Sequence, residues 1–206
     1  MDNKFRIKCF ATGRNIQHLT HFTNIKNIDT IMQYGLLTRK YMNDNKISYI
    51  YNDAYRYDDL EDSISVSVTF PNYKMFYKLR MDNPYERWAV LVLKALPILE
   101  LDCVFCRTNA ANDEMREIPV CERKRFSAFQ DMFYERNDIS RAGLRLPDNF
   151  TTDPQAEILV CHNIPSDWIE KICVEKDEDI ILINKGAINI CTDRDFFLPR
   201  VDYEKW

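Results

Sequence analysis

The residues best placed to do chemistry are two polar side chains at the head of an apolar strand. Asp153-Pro154-Gln155-Ala156-Glu157-Ile158-Leu159-Val160 runs from a Pro-containing turn into a short apolar stretch that His162-Asn163 closes, the pattern of a buried strand. A glutamate at the first position of such a strand is costly to keep charged unless something pairs with it. Gln155, two residues earlier, points to the same face of an extended chain. An amide and a carboxylate side by side at a strand end can hold a polar ligand. Two of the three histidines fall in Gln17-His18-Leu19-Thr20-His21-Phe22. On a strand His18 and Thr20 share one face and His21 takes the other. Taken alone, a structural imidazole with a backbone partner is the simpler reading, and two imidazoles three apart do not make a metal site. Arg56, within 52–59, reads in isolation as a surface charge. Ser63, Ser65 and Ser67 share a strand face that would serve equally as a solvated edge.

The elements that must position these groups can be read from periodicity. Ile16–Thr20 has the look of a short strand. Asn24 can cap a helix to Tyr34, with Ile25, Ile28, Ile31 and Met32 at helical spacing, and Gly35 stops it. Leu36 and Leu37 return the chain to the core. Residues 38–62 are polar and tyrosine-rich, with a short helix expected near Asp53–Tyr57. Asp62–Phe70 alternates as a half-buried strand. Pro71-Asn72 opens a helix through Met81, and Trp88–Leu96 and Cys103–Phe105 read as strands. Arg123–Tyr134 reads as a helix with one apolar side. Residues 137–154 form a loop long enough to be functional. Further strands are expected at Glu157–Cys161, Lys171–Val174 and Ile180–Ile183. The irregular alternation predicts an α+β fold in one domain spanning 1–206.

Composition removes several function classes. The chain has 206 residues, 46% hydrophobic and 13% aromatic, with only four glycines and a net charge of −4. It contains neither GxGxxG nor GxxxxGK[ST], which argues against dinucleotide binding on a Rossmann unit and against P-loop chemistry. An acidic chain does not coat nucleic acid broadly, although a local basic groove remains open to it. No apolar run is long enough to span a bilayer and no signal-like segment opens the chain, so no membrane partner is expected. Seven cysteines without an export signal suggest reduced thiols in the cytoplasm. Cys103-Val-Phe-Cys106 would need two further ligands, with Cys121 and His162 as candidates, to hold zinc; buried small thiols are the simpler reading, and no metal is expected.

Taken in order, the motifs resemble those of ADP-ribosyltransferases, and more closely the DarT family of nucleic-acid-modifying toxins. The family's opening H-x-T-H-x-x-N-L, helix and G-L-L is similar to His18-Leu19-Thr20-His21-Phe22-Thr23-Asn24-Ile25 followed by Gly35-Leu36-Leu37. Val68-Thr69-Phe70 leading to Met75-Phe76-Tyr77, the Asn109-Ala110-Ala111 turn, and Gln155 to Val160 match further family segments. The resemblance runs from about His18 to Val174. It departs at Gln17, where the family often has an aromatic residue, and in the spacing before Arg56.

The resemblance implies an ADP-ribosyltransferase-like fold, split mixed β-sheets flanked by helices around a cleft for NAD+, which is a substrate. It implies transfer of ADP-ribose to a nucleobase in single-stranded DNA, with RNA, an NAD glycohydrolase or a non-catalytic nucleic-acid-binding module as alternatives, and a cognate antitoxin in phage defence. Glu157 would stabilise an oxocarbenium-like transition state. His18, Leu19, Thr20, Asn24, Leu36 and Arg56 would contact NAD+. Arg56 is also implied as a second catalytic residue that assists loss of the base proton. A guanidinium rarely gives up its own proton, so stabilising a deprotonated base or binding a phosphate is physically easier. Gln155, Arg141, Arg145 and Phe150 would meet the acceptor strand, with Arg123, Lys124, Arg125, Arg136 and Tyr134 nearby as a basic and aromatic clamp.

Overall fold

The computed structural model describes residues 2–50, 62–135, 140–183 and 188–206. The strands are β1 (His18–Asn24), β2 (Ile64–Val68), β3 (Trp88–Lys94), β4 (Cys103–Cys106), β5 (Glu157–Val160), β6 (Ile169–Val174) and β7 (Asn189–Thr192). They form a mixed sheet in the order β4-β5-β2-β1-β3-β6-β7. All neighbours are antiparallel except β6 and β7. The longer helices are α1 (Asn3–Gly13), α2 (Ile28–Tyr34) and α3 (Tyr73–Asp82), and a shorter one, α4 (Phe126–Asp131), packs against α1. The α+β expectation holds.

The sheet is nearly two sheets. β1 pairs with β3 along its whole length, from His18↔Lys94 to Asn24↔Trp88. On its other edge β1 meets β2 only at Leu19↔Val68 and Thr20↔Ser67. Beyond Thr20 the strands part.

Alternation along the strands explains where the core lies. Ala89, Leu91 and Leu93 of β3, Ile158 and Val160 of β5 and Leu19 of β1 all face one continuous core, with Ile7 of α1 and Phe129 of α4. The opposite face is not continuous. Trp88, Val90 and Val92 pack with Phe76 of α3 in one cluster, and Val104, Cys106 and Leu159 pack with Met115 in another. The gap between these clusters coincides with the parting of β1 and β2.

Local caps follow the sequence. The side chain of Asn24 accepts from Lys26 N in a 3-10 turn that precedes α2, and that of Asn72 accepts from Met75 N at the start of α3. Gly35 has φ +86°, and a Cβ there would lie 2.3 Å from the Ile164 carbonyl oxygen. Only glycine lets Leu36 form its two-way bridge with Ile164.

Two readings are corrected. Ile180–Ile183 is not a strand; Asp177–Ile180 is a helical turn opened by three acidic residues, which suit the positive end of a helix. The helix expected over Arg123–Tyr134 is two short pieces, Val120–Arg123 and Phe126–Asp131. α1 and β7 add to the elements expected from the sequence. The helix expected near Asp53–Tyr57 lies outside the described residues. Among the described residues no helix is long and apolar enough to cross a membrane.

Candidate active site

The parting of β1 and β2 opens a cleft lined by Thr20, His21, Phe22 and Thr23 of β1 and by Ser63, Ile64, Ser65 and Ser67 of the β2 region. Thr30 and Ile31 of α2, the Gly35-Leu36-Leu37 turn, Arg39 and Met42 form one wall. Met75 of α3, the Asn109-Ala110-Ala111 turn and Glu157 also line it.

Register places the carboxylate. Ser65 is level with Leu159 and Val66 with Ile158, so the next step sets Ser67 level with Glu157. Ser67 is itself paired with Thr20. Thr20, Ser67 and Glu157 therefore lie in one row across three strands, at the apex of the split. Glu157 is 7% exposed, and Ser65 Oγ, a diagonal neighbour, donates to its Oε2 at 2.6 Å. That bond fixes the direction of the carboxylate. Ser63, Ser65 and Ser67 are thus cleft residues rather than a solvated edge, and Ser67 Oγ accepts from Asn72 N at 3.1 Å.

Across the opening, His21 Nδ1 lies 2.8 Å from the Ser65 carbonyl oxygen. A carbonyl only accepts, so Nδ1 carries the proton. The imidazole stands in for ladder bonds that the parted backbones no longer make. Thr20 Oγ1 donates to Ser67 O at 3.5 Å. Asn27 bonds both ways with the Ile50 backbone, at 2.9 and 2.8 Å, and its Nδ2 donates to Thr23 Oγ1. It thereby ties the Ile50 backbone to Thr23 of β1. Arg56 lies outside the described residues.

The structure brings Thr20, Leu36 and Glu157 to the cleft and places other expected residues elsewhere. His18 sits at the closed end of the β1–β2 seam, its Nδ1 2.6 Å from Glu170 Oε2. It shares a face with Thr20, but Thr20 is the first residue of β1 that lines the cleft. The Leu19 side chain alternates into the main core and is fully buried. The Asn24 side chain is occupied in the cap and in donating to Glu86 at 2.6 Å. These three side chains lie outside the cleft lining described above.

The acceptor group is also divided. Gln155 N donates to Asp153 Oδ1 at 2.7 Å in a turn before β5, and Gln155 is half-buried. Arg141 donates to the carbonyls of Phe150 and Pro147 and to Thr152 Oγ1, so it ties the 140–153 loop together. Burial pushes the Arg141 guanidinium below its ordinary value. Phe150 lies against Phe70, with ring centroids 5.8 Å apart. Arg145 is exposed, with φ +53°. Arg123 is buried against Cys106, while Lys124 and Arg125 pair with Asp102 and Glu122. Arg123 is thus part of the core, while Lys124 and Arg125 lie in partly exposed surface pairs. Arg136 lies outside the described residues.

Cys103 and Cys106 point to opposite faces of β4, one in the main core and one in the Met115 cluster. Burial pushes the Cys103 thiol up to about 12. Among the described residues no three His, Cys, Asp or Glu side chains are grouped to hold a metal. The groups that sequence reasoning missed are His21, Asn27 and Arg39. His21 carried a signal, its place in the motif, but alternation alone cannot say where the strands part.

Comparison with known proteins gives a consistent picture. A family model described as "ssDNA thymidine ADP-ribosyltransferase, DarT" matches residues 20–187. No curated protein sequence matches significantly. Among solved structures, the chain is similar to Thermosipho africanus DarTG in complex with ADP-ribose, with 20% identity and a TM-score of 0.58. That match covers 88% of this chain and 51% of the other, so the chain spans about half the Thermosipho protein. Thermus sp. 2.9 DarT in complex with NAD+ is 19% identical, with a TM-score of 0.54 over 89% of this chain and 98% of that one. The same protein in complex with ADP-ribosylated ssDNA matches at 15% identity and a TM-score of 0.51, over 89% and 97%.

Proposed function

From the premise that this chain belongs to the DarT family of ssDNA thymidine ADP-ribosyltransferases, we propose that it transfers ADP-ribose from NAD+ to a thymidine base in single-stranded DNA. The observation that carries this reading is Glu157, buried at the apex of the split and oriented by Ser65. The reaction breaks the bond between ribose and nicotinamide and joins the ribose to the base, which loses a proton as nicotinamide departs. Positive charge develops on the ribose in the transition state. A fixed carboxylate beside it stabilises that charge by roughly 3–4 kcal/mol, about 10²–10³ in rate.

Thr20, Leu36 and the His21–Ser65 pair form the walls against which NAD+ lies. Arg39, on the cleft wall, is suited to the pyrophosphate. Arg56 acts beside the base, where a guanidinium stabilises the deprotonated form. Gln155, Arg145 and Phe150 face the acceptor strand. An unpaired base is the natural substrate, because a duplex hides the edge that must react. The likeness to DarTG, together with the motif resemblance, supports a toxin held in check by an antitoxin.

The test is mass spectrometry of thymidine-containing DNA and RNA oligonucleotides after incubation with NAD+. One added ADP-ribose on DNA, absent with Glu157→Ala, is the expected result. Labelling of RNA alone, or of DNA by the variant, overturns the assignment.

A further inference from the structure

Residues Arg200–Trp206 lie beyond the span matched by the family model, yet they grip the backbone that leads into Glu157. Arg200 is 3% exposed. Its Nε and Nη2 donate to the two Asp202 oxygens, each at 2.6 Å. Nη1 and Nη2 also donate to the carbonyls of Thr151 and Thr152, each at 2.8 Å. Trp206 Nε1 donates to Asp202 Oδ2 at 2.7 Å, and the guanidinium lies 5.8 Å from the centre of the Phe150 ring.

The held segment is bonded onward. Thr152 N donates to Met132 O, and Thr151 Oγ1 donates to Asp153 O. Asp153 then receives Gln155 N on its side chain and Ala156 N on its carbonyl. The relay ends one residue before Glu157. A buried ion pair is a weak device for stability, since apolar packing of the same volume often does as well. What a two-pronged guanidinium supplies is direction.

We propose that Arg200, held by Asp202, is a positioning residue for the transfer reaction, fixing the Thr151–Ala156 lead-in and so the placement of Glu157 and Gln155 at the cleft. This rests on the reading of Glu157 given above. The walls assigned to NAD+, on β1 and the Leu36 turn, make none of these bonds. Loss of the grip therefore acts on kcat and leaves the KM for NAD+ in place. A misplacement near 1 Å costs on the order of 10²-fold in rate.

The experiment compares single-turnover and steady-state transfer to a thymidine-containing single strand for wild type, Arg200→Met, Arg200→Lys and Asp202→Asn, with thermal unfolding recorded for each. Arg200→Met is expected to lower kcat about 100-fold and Arg200→Lys about tenfold, with KM for NAD+ within about twofold of wild type. A folded variant whose kcat is unchanged, or whose KM rises as kcat falls, overturns the proposal. Where Arg200→Met unfolds at the assay temperature, Asp202→Asn, which keeps an acceptor for Arg200, is decisive. A tenfold loss of kcat supports the proposal and full activity overturns it. A wild type without transfer, or a fully active Glu157→Gln, overturns the reading of the site itself and the proposal with it.

Discussion

β1 has two edges that behave in opposite ways. Against β3 it is zipped from end to end, and the side chains of β3 are buried on both faces. Against β2 it holds only at Leu19 and Thr20, and polar side chains gather where pairing stops. The contrast shows how one strand serves two purposes. The closed seam supplies the cooperative core, and the open seam leaves backbone groups and short polar side chains to be satisfied by one another and by a ligand. Withheld pairing, more than any single residue type, makes the cleft.

The largest effect that separates the two seams belongs to Glu157. Glu157→Gln keeps an oxygen for the Ser65 hydroxyl and loses the charge, so kcat is expected to fall about 10²–10³-fold with thermal stability near wild type. Steady-state transfer assays and a melting curve check both halves. Leu91→Ala in the closed seam should do the reverse, removing about 2–5 kcal/mol of stability and leaving kcat unchanged below the melting temperature. Denaturant titration measures the first; a fall in kcat of the folded variant would break the division of labour. Ser65→Ala leaves the Glu157 carboxylate without its orienting donor, and the expected loss is about tenfold in kcat, close to 1.4 kcal/mol.

The smallest effect concerns the lead-in to β5. Burial disfavours the charged form of Asp202, but hydrogen bonds from Arg200 and Trp206 outweigh it and hold the carboxyl below its ordinary value. A depressed acid contributes stability that is present above its unfolded value, about 3.9, and lost as pH falls through its folded value. Melting temperatures of wild type should drop more steeply than those of Asp202→Asn below about pH 4, by no more than about 1.4 kcal/mol per pH unit. Parallel curves would remove charge from the account of this latch.

Much of this was legible in the chain. The apolar runs of β3 and β5 read as buried strands because both faces of the sheet are covered there. Gly35 read as a helix stop because its φ and the approach of Ile164 admit no side chain. Glu157 stood out because a carboxylate does not open an apolar strand without cause. Other features were hidden for physical reasons. α1 buries only Ile7 and Ala11, too few for a helical stripe to show. β7 is a half-exposed edge strand of four residues. His18 and His21 could not be ranked, because alternation gives the face of a residue but not the point at which two neighbouring strands diverge.

The row formed by Thr20, Ser67 and Glu157 has a mechanical consequence. In a wedge, displacement grows with distance from the vertex. Any breathing of β1 against β2 moves the rim of the opening far more than this row. Groups at the vertex hold their spacing while groups at the rim yield to the shape of what enters. The split thus separates a rigid vertex from a compliant rim within one framework.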